Sequence, residues 1–423
     1  MVDHPRRPER AGFALLANVS SAALLGVDGF AVQVEVDVSR GLPSFNVVGQ
    51  VGSTVRESRA RIHGALRNAG FEFPLDRIAV NLSPSALPKH GVHFDLPIAV
   101  GILTASGQIP RLKSEGLNLW FGELALDGSV LPVHGVLPMV LSVLRSRESS
   151  ALASEPRCPV RIYLPAQNRA ELELLSGIEL IPLHTLHELH HSGRTSTSVL
   201  REKAQPLAVG AAAHERDQVI DLADVEGHPL AKLALEVAAV GDHHLLLSGP
   251  PGVGKSMLGY ALQGILPGVS EERQLEIAAI ASVTGDRCER GERPLRAPHH
   301  SITVPALLGG GTVPKPGEIT RAHGGVLLLD EMSEFHSLAL EALREPLETG
   351  EVRLSRAWGV VRYPAGVILA GTTNLCPCGA YGDEMRHCRC SENERARYGA
   401  RISAALRDRI DLQIQLQPAS RML

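Results

Sequence analysis

The segment Gly249, Pro250, Pro251, Gly252, Val253, Gly254, Lys255, Ser256 leaves this chain few ways to fold around it. An apolar run, His244 to Ser248, precedes it and reads as a buried parallel strand. Met257, Leu258 and Tyr260 to Leu262 follow it and read as a helix. Strand, glycine-rich turn and helix start is the context in which G-x-x-x-x-G-K-S cradles phosphate. Gly249, Gly252 and Gly254 let backbone N–H groups curl around an anion, and the helix dipole adds partial positive charge. Lys255 supplies a mobile cation for the outer phosphates, and the Ser256 hydroxyl can ligate Mg²⁺. The sequence therefore predicts a nucleoside-triphosphate site in an α/β domain.

Leu327 to Leu329 runs directly into Asp330 and Glu331. An acid at a strand's carboxyl end can hold Mg²⁺ beside the loop serine, and the next acid can polarise the attacking water. Lys255 and Asp330 lie 75 residues apart, so an insertion sits between them. Asn374 follows another short apolar run, Val367 to Ala370, where a polar side chain can reach the γ-phosphate or the water. Val352 to Tyr363 reads as a hairpin with Arg353, Arg356 and Arg362 and with Trp358 near its tip. Cations beside an aromatic suit a nucleic-acid single strand; the plainer reading is a surface hairpin with Trp358 packed. Cys376, Cys378, Cys388 and Cys390 form two C-x-C pairs. Four thiolates can close a tetrahedral site and select zinc, with His387 able to replace one; the alternative is four reduced thiols.

Composition bounds the rest. The chain is 44% apolar and 21% charged, which suits a globular protein, and no apolar run reaches the length of a membrane span. No signal-type apolar region follows the basic start, so a cytoplasmic location is expected. The net charge of −4 excludes a globally basic nucleic-acid binder but not a local patch. Arg386, Arg389, Arg395, Arg397, Arg401, Arg407 and Arg409 face only Glu392, Glu394 and Asp408, as a solvated helix face or as such a patch. The six cysteines do not form the pattern of a secreted disulfide framework, and Cys158 and Cys288 stand alone.

Five segments separate: a tail over 1–12, an α+β domain over 13–189, a polar linker over 190–218, an α/β domain with a parallel sheet over 219–418, and an end over 419–423. In the first domain Val32 to Val38 alternates with period two and predicts a half-buried strand, as do Ile78 to Leu82 and Ile162 to Leu164. Thr54 to Asn68 predicts an amphipathic helix, and Leu96 to Leu103 a buried one.

These stretches resemble the YifB/ComM family of magnesium-chelatase-like AAA+ ATPases. The resemblance rests on the phosphate loop, Arg293 to Ser301, Gly309 to Gly311, Pro316 to Ile319, His323 to Glu331 and Leu343 to Glu348. Leu354 to Ala357, Asn374 with Cys376 to Gly379, and Asp408 to Asp411 extend it, so it covers about Ala23 to Leu416. It implies ATP and Mg²⁺ as ligands, a structural Zn²⁺ at the cysteines, Asn374 as sensor 1 and Arg409 as the arginine finger of a ring, typically a hexamer. The hairpin would line the ring's pore. Ser403 to Arg407 departs from the family's Ser-Gly-Pro-Leu-Leu, which makes Arg407 a rival finger, and Gly371, Thr372 and Thr373 replace the usual approach to the sensor asparagine. The implied function is an ATP-driven motor on branched or single-stranded DNA, resembling a branch-migration helicase of recombination. The alternatives are a chelatase-type motor that remodels a protein partner for metal insertion into a tetrapyrrole, and an ATP-binding fragment without turnover.

Gly41 to Phe45, Val55 to Ser58, Asn81 to Pro84, Leu87 to Lys89, Phe94 to Ile98 and Gly122 to Gly128 resemble the family's amino-terminal domain, which implies the ribosomal-protein-S5 fold shared with Lon-type proteases. Aligning Pro88 to Gly91 and Val133 to Leu137 on the Lon-type motifs puts His93 at the nucleophile position and Leu137 at the lysine position. A Ser–Lys protease is therefore not expected. The family continues into a helical lid, which this sequence is expected to lack.

Overall fold

The computed structural model describes residues 16–111, 116–150, 159–190, 220–356, 359–383 and 386–417. The 1–12 tail, nearly all of the 190–218 linker, Trp358, Cys158 and the 419–423 end lie outside them. The chain divides into two compact units, Met1–Val209 and Gly210–Leu423.

The first unit is built on a seven-stranded mixed sheet. Its order is Ser44–Val48, Arg77–Ser83, Asp28–Ser39, Leu16–Leu25, Leu117–Trp120, Val160–Pro165 and Ile178–Leu183. The centre is antiparallel and the Leu117, Val160 and Ile178 strands run parallel. Val32, Val34, Val36 and Val38 are buried while the residues between them are half-buried, as period two requires. Against that face lies Asp95–Ala105, a helix buried almost all round. The expected helix over Thr54 to Asn68 is instead two, Ser53–Arg56 and Ser58–Asn68, broken at Glu57. Arg61 reaches back from the second helix to Thr54 O and forms a two-point ion pair with buried Asp95.

The second unit carries a five-stranded parallel sheet ordered Leu295–Arg296, Val326–Leu329, Ile368–Thr373, Leu245–Ser248 and Leu412–Gln415. Numbered along the unit, the order is 2-3-4-1-5. Val326–Leu329 and Ile368–Thr373 are buried along their whole length, which is why Val326 to Leu329 and Val367 to Ala370 read as unbroken apolar runs. Between the helix Lys255–Gly264 and the strand ending at Leu329, the insertion folds as a 14-residue helix, Glu271–Thr284, then short helices and a two-stranded ribbon. Ser270 caps the long helix through the Arg273 N–H.

Candidate nucleotide-binding site

Parallel strands deliver whatever follows them to one edge of the sheet. Ser248 is paired with Thr373 and Leu329 with Gly371, so the phosphate loop, Asp330 with Glu331, and Asn374 emerge side by side. The first strand lies between the fourth and the fifth, and phosphate-binding loops sit at such a crossover.

Gly252 and Gly254 have φ of 79° and 91°, the left-handed region open to glycine. At Gly249 a Cβ would stand 2.8 Å from Leu416 O, so the loop can only pass the last strand as glycine. Gly254 caps the helix Lys255–Gly264 without a side-chain acceptor, which leaves its first N–H groups for a ligand. Lys255 is buried; its Nζ donates to Gly249 O at 2.9 Å, Pro250 O at 2.7 Å and Asn374 Oδ1 at 3.1 Å. Burial lowers its pKa from 10.5, and the charges of Asp330 and Glu331 oppose that shift.

The Ser256 hydroxyl donates to Asp330 at 2.8 and 3.0 Å from its two oxygens. A hydroxyl and a carboxylate at that spacing are the oxygen donors a hard cation takes, so Ser256 and Asp330 fit Mg²⁺. Thr372 completes the arrangement: its hydroxyl donates to Asp330 Oδ1 at 2.6 Å and accepts from the Glu331 N–H at 2.9 Å. Glu331 is exposed and has φ of 53°, a conformation costing about 1–3 kcal/mol outside glycine. The bond to Thr372 holds that backbone in place, and the Glu331 side chain is exposed. One residue on, Thr373 Oγ1 lies 2.6 Å from Ser333 Oγ.

Thr372, Thr373 and Ser333 had no assigned role in the sequence. The available signal was a pair of threonines at a strand's carboxyl end, directly before the asparagine. A second unforeseen contact joins the cysteine loop to the phosphate loop. A Cβ on Gly379, whose φ is 74°, would lie 3.0 Å from Pro251 Cγ.

The remaining sequence candidates make their hydrogen bonds and ion pairs with other residues. Arg409 pairs with Glu348 Oε2 at 2.5 Å and donates to Ala405 O; Arg407 donates to Gly399 O. The hairpin forms as strands Glu351–Arg356 and Gly359–Pro364, with Arg353 directly opposite Arg362 and both exposed. Arg353 pairs with Glu351, and Arg356 donates to Gly311 O on the insertion's ribbon. The four cysteine Sγ atoms lie within 4.8 Å of one another, and His387 is not among the group. The Ala380 N–H, foremost, brings the Cys378 thiol down from 9.0 to about 6. A concavity of about 590 Å³ lined by Ile220, Tyr260, Asp286, Arg296 and His323 includes no phosphate-loop residue and is a separate feature.

In the first unit His93 is buried, and its Nε2 lies 3.0 Å from Ala22 O; burial holds its pKa down at about 4. Leu137 is wholly buried. A neutral imidazole and a leucine at those two positions provide no nucleophile–lysine pair.

Comparison with known proteins agrees with this geometry. The family model described as magnesium chelatase, subunit ChlI, matches residues 221–422, and the one described as subunit ChlI of Mg-chelatase matches 34–155. Competence protein ComM of Haemophilus influenzae is 40% identical over 410 residues, covering 95% of this chain and 76% of that protein. YifB of Salmonella typhimurium is 40% identical over 404 residues, with 95% and 76% covered. Lon protease 2 of Bacillus subtilis is 28% identical over 169 residues, 37% of this chain and 30% of the protease. No described helix is long and apolar enough to cross a membrane.

Proposed function

Since the chain belongs to the YifB/ComM family of magnesium-chelatase-like AAA+ proteins, we propose that it hydrolyses ATP as a ring-forming motor that acts on DNA. The observation that carries the hydrolytic part is the convergence on one sheet edge of Lys255 bonded to Asn374, and of Ser256 bonded to Asp330, which Thr372 links to the Glu331 backbone. Lys255 trades its carbonyl partners for the outer phosphates, and the loop N–H groups hold the rest of the chain of phosphates. Ser256 and Asp330 would hold Mg²⁺, which when bound would supply charge neutralisation at the phosphates. Glu331 takes a proton from the attacking water, and Asn374, fixed by Lys255, orients that water or the γ-phosphate. Arg409 serves a neighbouring subunit's site. In the isolated chain it is parked on Glu348, an exposed carboxylate it must leave to do so.

The DNA part rests on the hairpin and on the relative named competence protein ComM. Arg353 and Arg362 stand opposite each other on one exposed face, and Glu351, paired with Arg353, offsets one of the two charges and leaves the other for an anion laid across them. A nucleic-acid backbone is such an anion, and a single strand would also use Trp358 for stacking. Replacing Arg353, Arg356 and Arg362 by glutamine should lower affinity for forked DNA and flatten its salt dependence, by about 0.7 in slope per lost single-strand phosphate contact. Unchanged affinity and slope would sink the DNA reading. ATP turnover that ignores DNA but responds to a protein partner would favour the chelatase-type motor, which the description of the matching family model supports.

A further inference from the structure

Between Thr373 and Glu392 the described residues form neither helix nor strand, although this stretch follows directly on Asn374 and leans on the phosphate loop. A loop of that length at a catalytic edge needs something to hold it. Its four cysteines converge: Cys376 and Cys378 Sγ are 3.4 Å apart, and Cys388 Sγ lies 3.7 Å from each. A disulfide would bring two sulfurs to about 2.05 Å. Four sulfurs at the usual zinc–sulfur distance of about 2.3 Å stand about 3.8 Å apart at the corners of a tetrahedron. The three close separations match that edge, and Cys390 stays within 4.8 Å of the others. Ligands this close surround one ion, not a cluster of several irons.

The surroundings are those of a metal thiolate site. Cys376 is wholly buried, and its sulfur accepts the Tyr381 N–H at 3.2 Å, the kind of outer contact that orients a ligand. Arg395 lies 4.6 Å above the Tyr381 ring and donates to Cys390 O, placing a cation beside a site that four thiolates and one divalent ion would make doubly negative. The helix Glu392–Gly399 begins two residues past Cys390, with Ser391 and Glu394 forming a reciprocal cap.

We propose that Cys376, Cys378, Cys388 and Cys390 bind one zinc ion, and that the closed site sets the position of Asn374 and Pro251 in the nucleotide site. The four thiols lose their protons to solvent on binding, and nothing is oxidised. Two short links carry the coupling. Cys376 is two residues from Asn374, whose side chain accepts from Lys255, and Gly379 packs on Pro251. The coupling rests on the nucleotide reading above; the metal site does not.

The test is metal content by mass spectrometry on the purified full chain, beside the Cys378→Ser/Cys388→Ser variant. Cobalt(II) reconstitution of the stripped wild type guards against a variant that fails to fold. One zinc per chain, lost in the variant, with tetrahedral thiolate bands on cobalt binding, is the expected result. Stripping should weaken binding of a fluorescent ATP analogue roughly tenfold, inside the usual 5–150-fold range of coupling between sites, and zinc should restore it. Four free thiols in the native protein with no metal and no cobalt bands would overturn the site. Bound zinc whose removal leaves nucleotide affinity unchanged would overturn the coupling. Bound zinc in a chain that takes no nucleotide even when metal-replete would instead sink the ATPase reading and leave the site standing.

Discussion

Lys89 and Lys255 are the two lysines buried among the described residues, one in each unit, and both spend their ammonium on backbone carbonyls. Lys89 donates to Pro84 O and Leu87 O; Lys255 donates to Gly249 O and Pro250 O. Burial lowers the pKa of each. What separates them is the company. Lys89 sits in a turn with no carboxylate countering its burial, while Lys255 adds Asn374 and feels both Asp330 and Glu331. A buried lysine alone is a structural pin. A buried lysine at the carboxyl ends of parallel strands, with an asparagine from the neighbouring strand and acids from the one beyond it, has the surroundings a phosphate site needs.

Methionine substitution should break that comparison most sharply. Lys255→Met should abolish binding of a fluorescent ATP analogue while leaving the first unit's unfolding unchanged. Lys89→Met should leave nucleotide affinity intact and shift only that unfolding, since it strands two carbonyls at about 1–3 kcal/mol each. Nucleotide loss in Lys89→Met would erase the distinction. Titrating Mg²⁺ against turnover in Thr372→Val sharpens the account of the acids. Removing that hydroxyl frees Asp330 and the Glu331 backbone, and the Mg²⁺ requirement should rise about tenfold, or about 1.4 kcal/mol.

A separate effect belongs to the first unit and to pH. The folded-state pKa of His93 lies at about 4, below its ordinary 6.5, so the unfolded chain binds the proton more readily. Stability is then full above pH 6.5 and falls as pH drops toward 4, by a total of about 3 kcal/mol from this group. Urea midpoints of the first unit between pH 7 and pH 4 should follow that curve, and His93→Gln should flatten it. An unchanged slope in the variant would remove His93 from the account.

The sequence carried what is local. Val32 to Val38 showed its pleat because each residue's burial depends on its own position in the strand, and the phosphate loop showed its glycines because φ is a local demand. Register was not legible. Thr372 touches Asp330 because Leu329 pairs with Gly371, 42 residues away in the chain, and no spacing announces that. The opposition of Arg353 to Arg362, the Arg409–Glu348 pair and the contact of Gly379 with Pro251 have the same origin. The helix break at Glu57 went unseen because apolar periodicity runs through it, while Arg61 bonds back to Thr54 across the interruption.

The central claim is that the converging edge of the second unit hydrolyses ATP in the service of DNA. Its most direct test is ATP turnover by the chain with and without forked DNA, wild type beside Glu331→Gln. The account predicts turnover that DNA raises, and a drop of at least about 100-fold in the variant with nucleotide binding retained, because only the base is lost. Turnover that is indifferent to DNA, or that survives in Glu331→Gln, would contradict it.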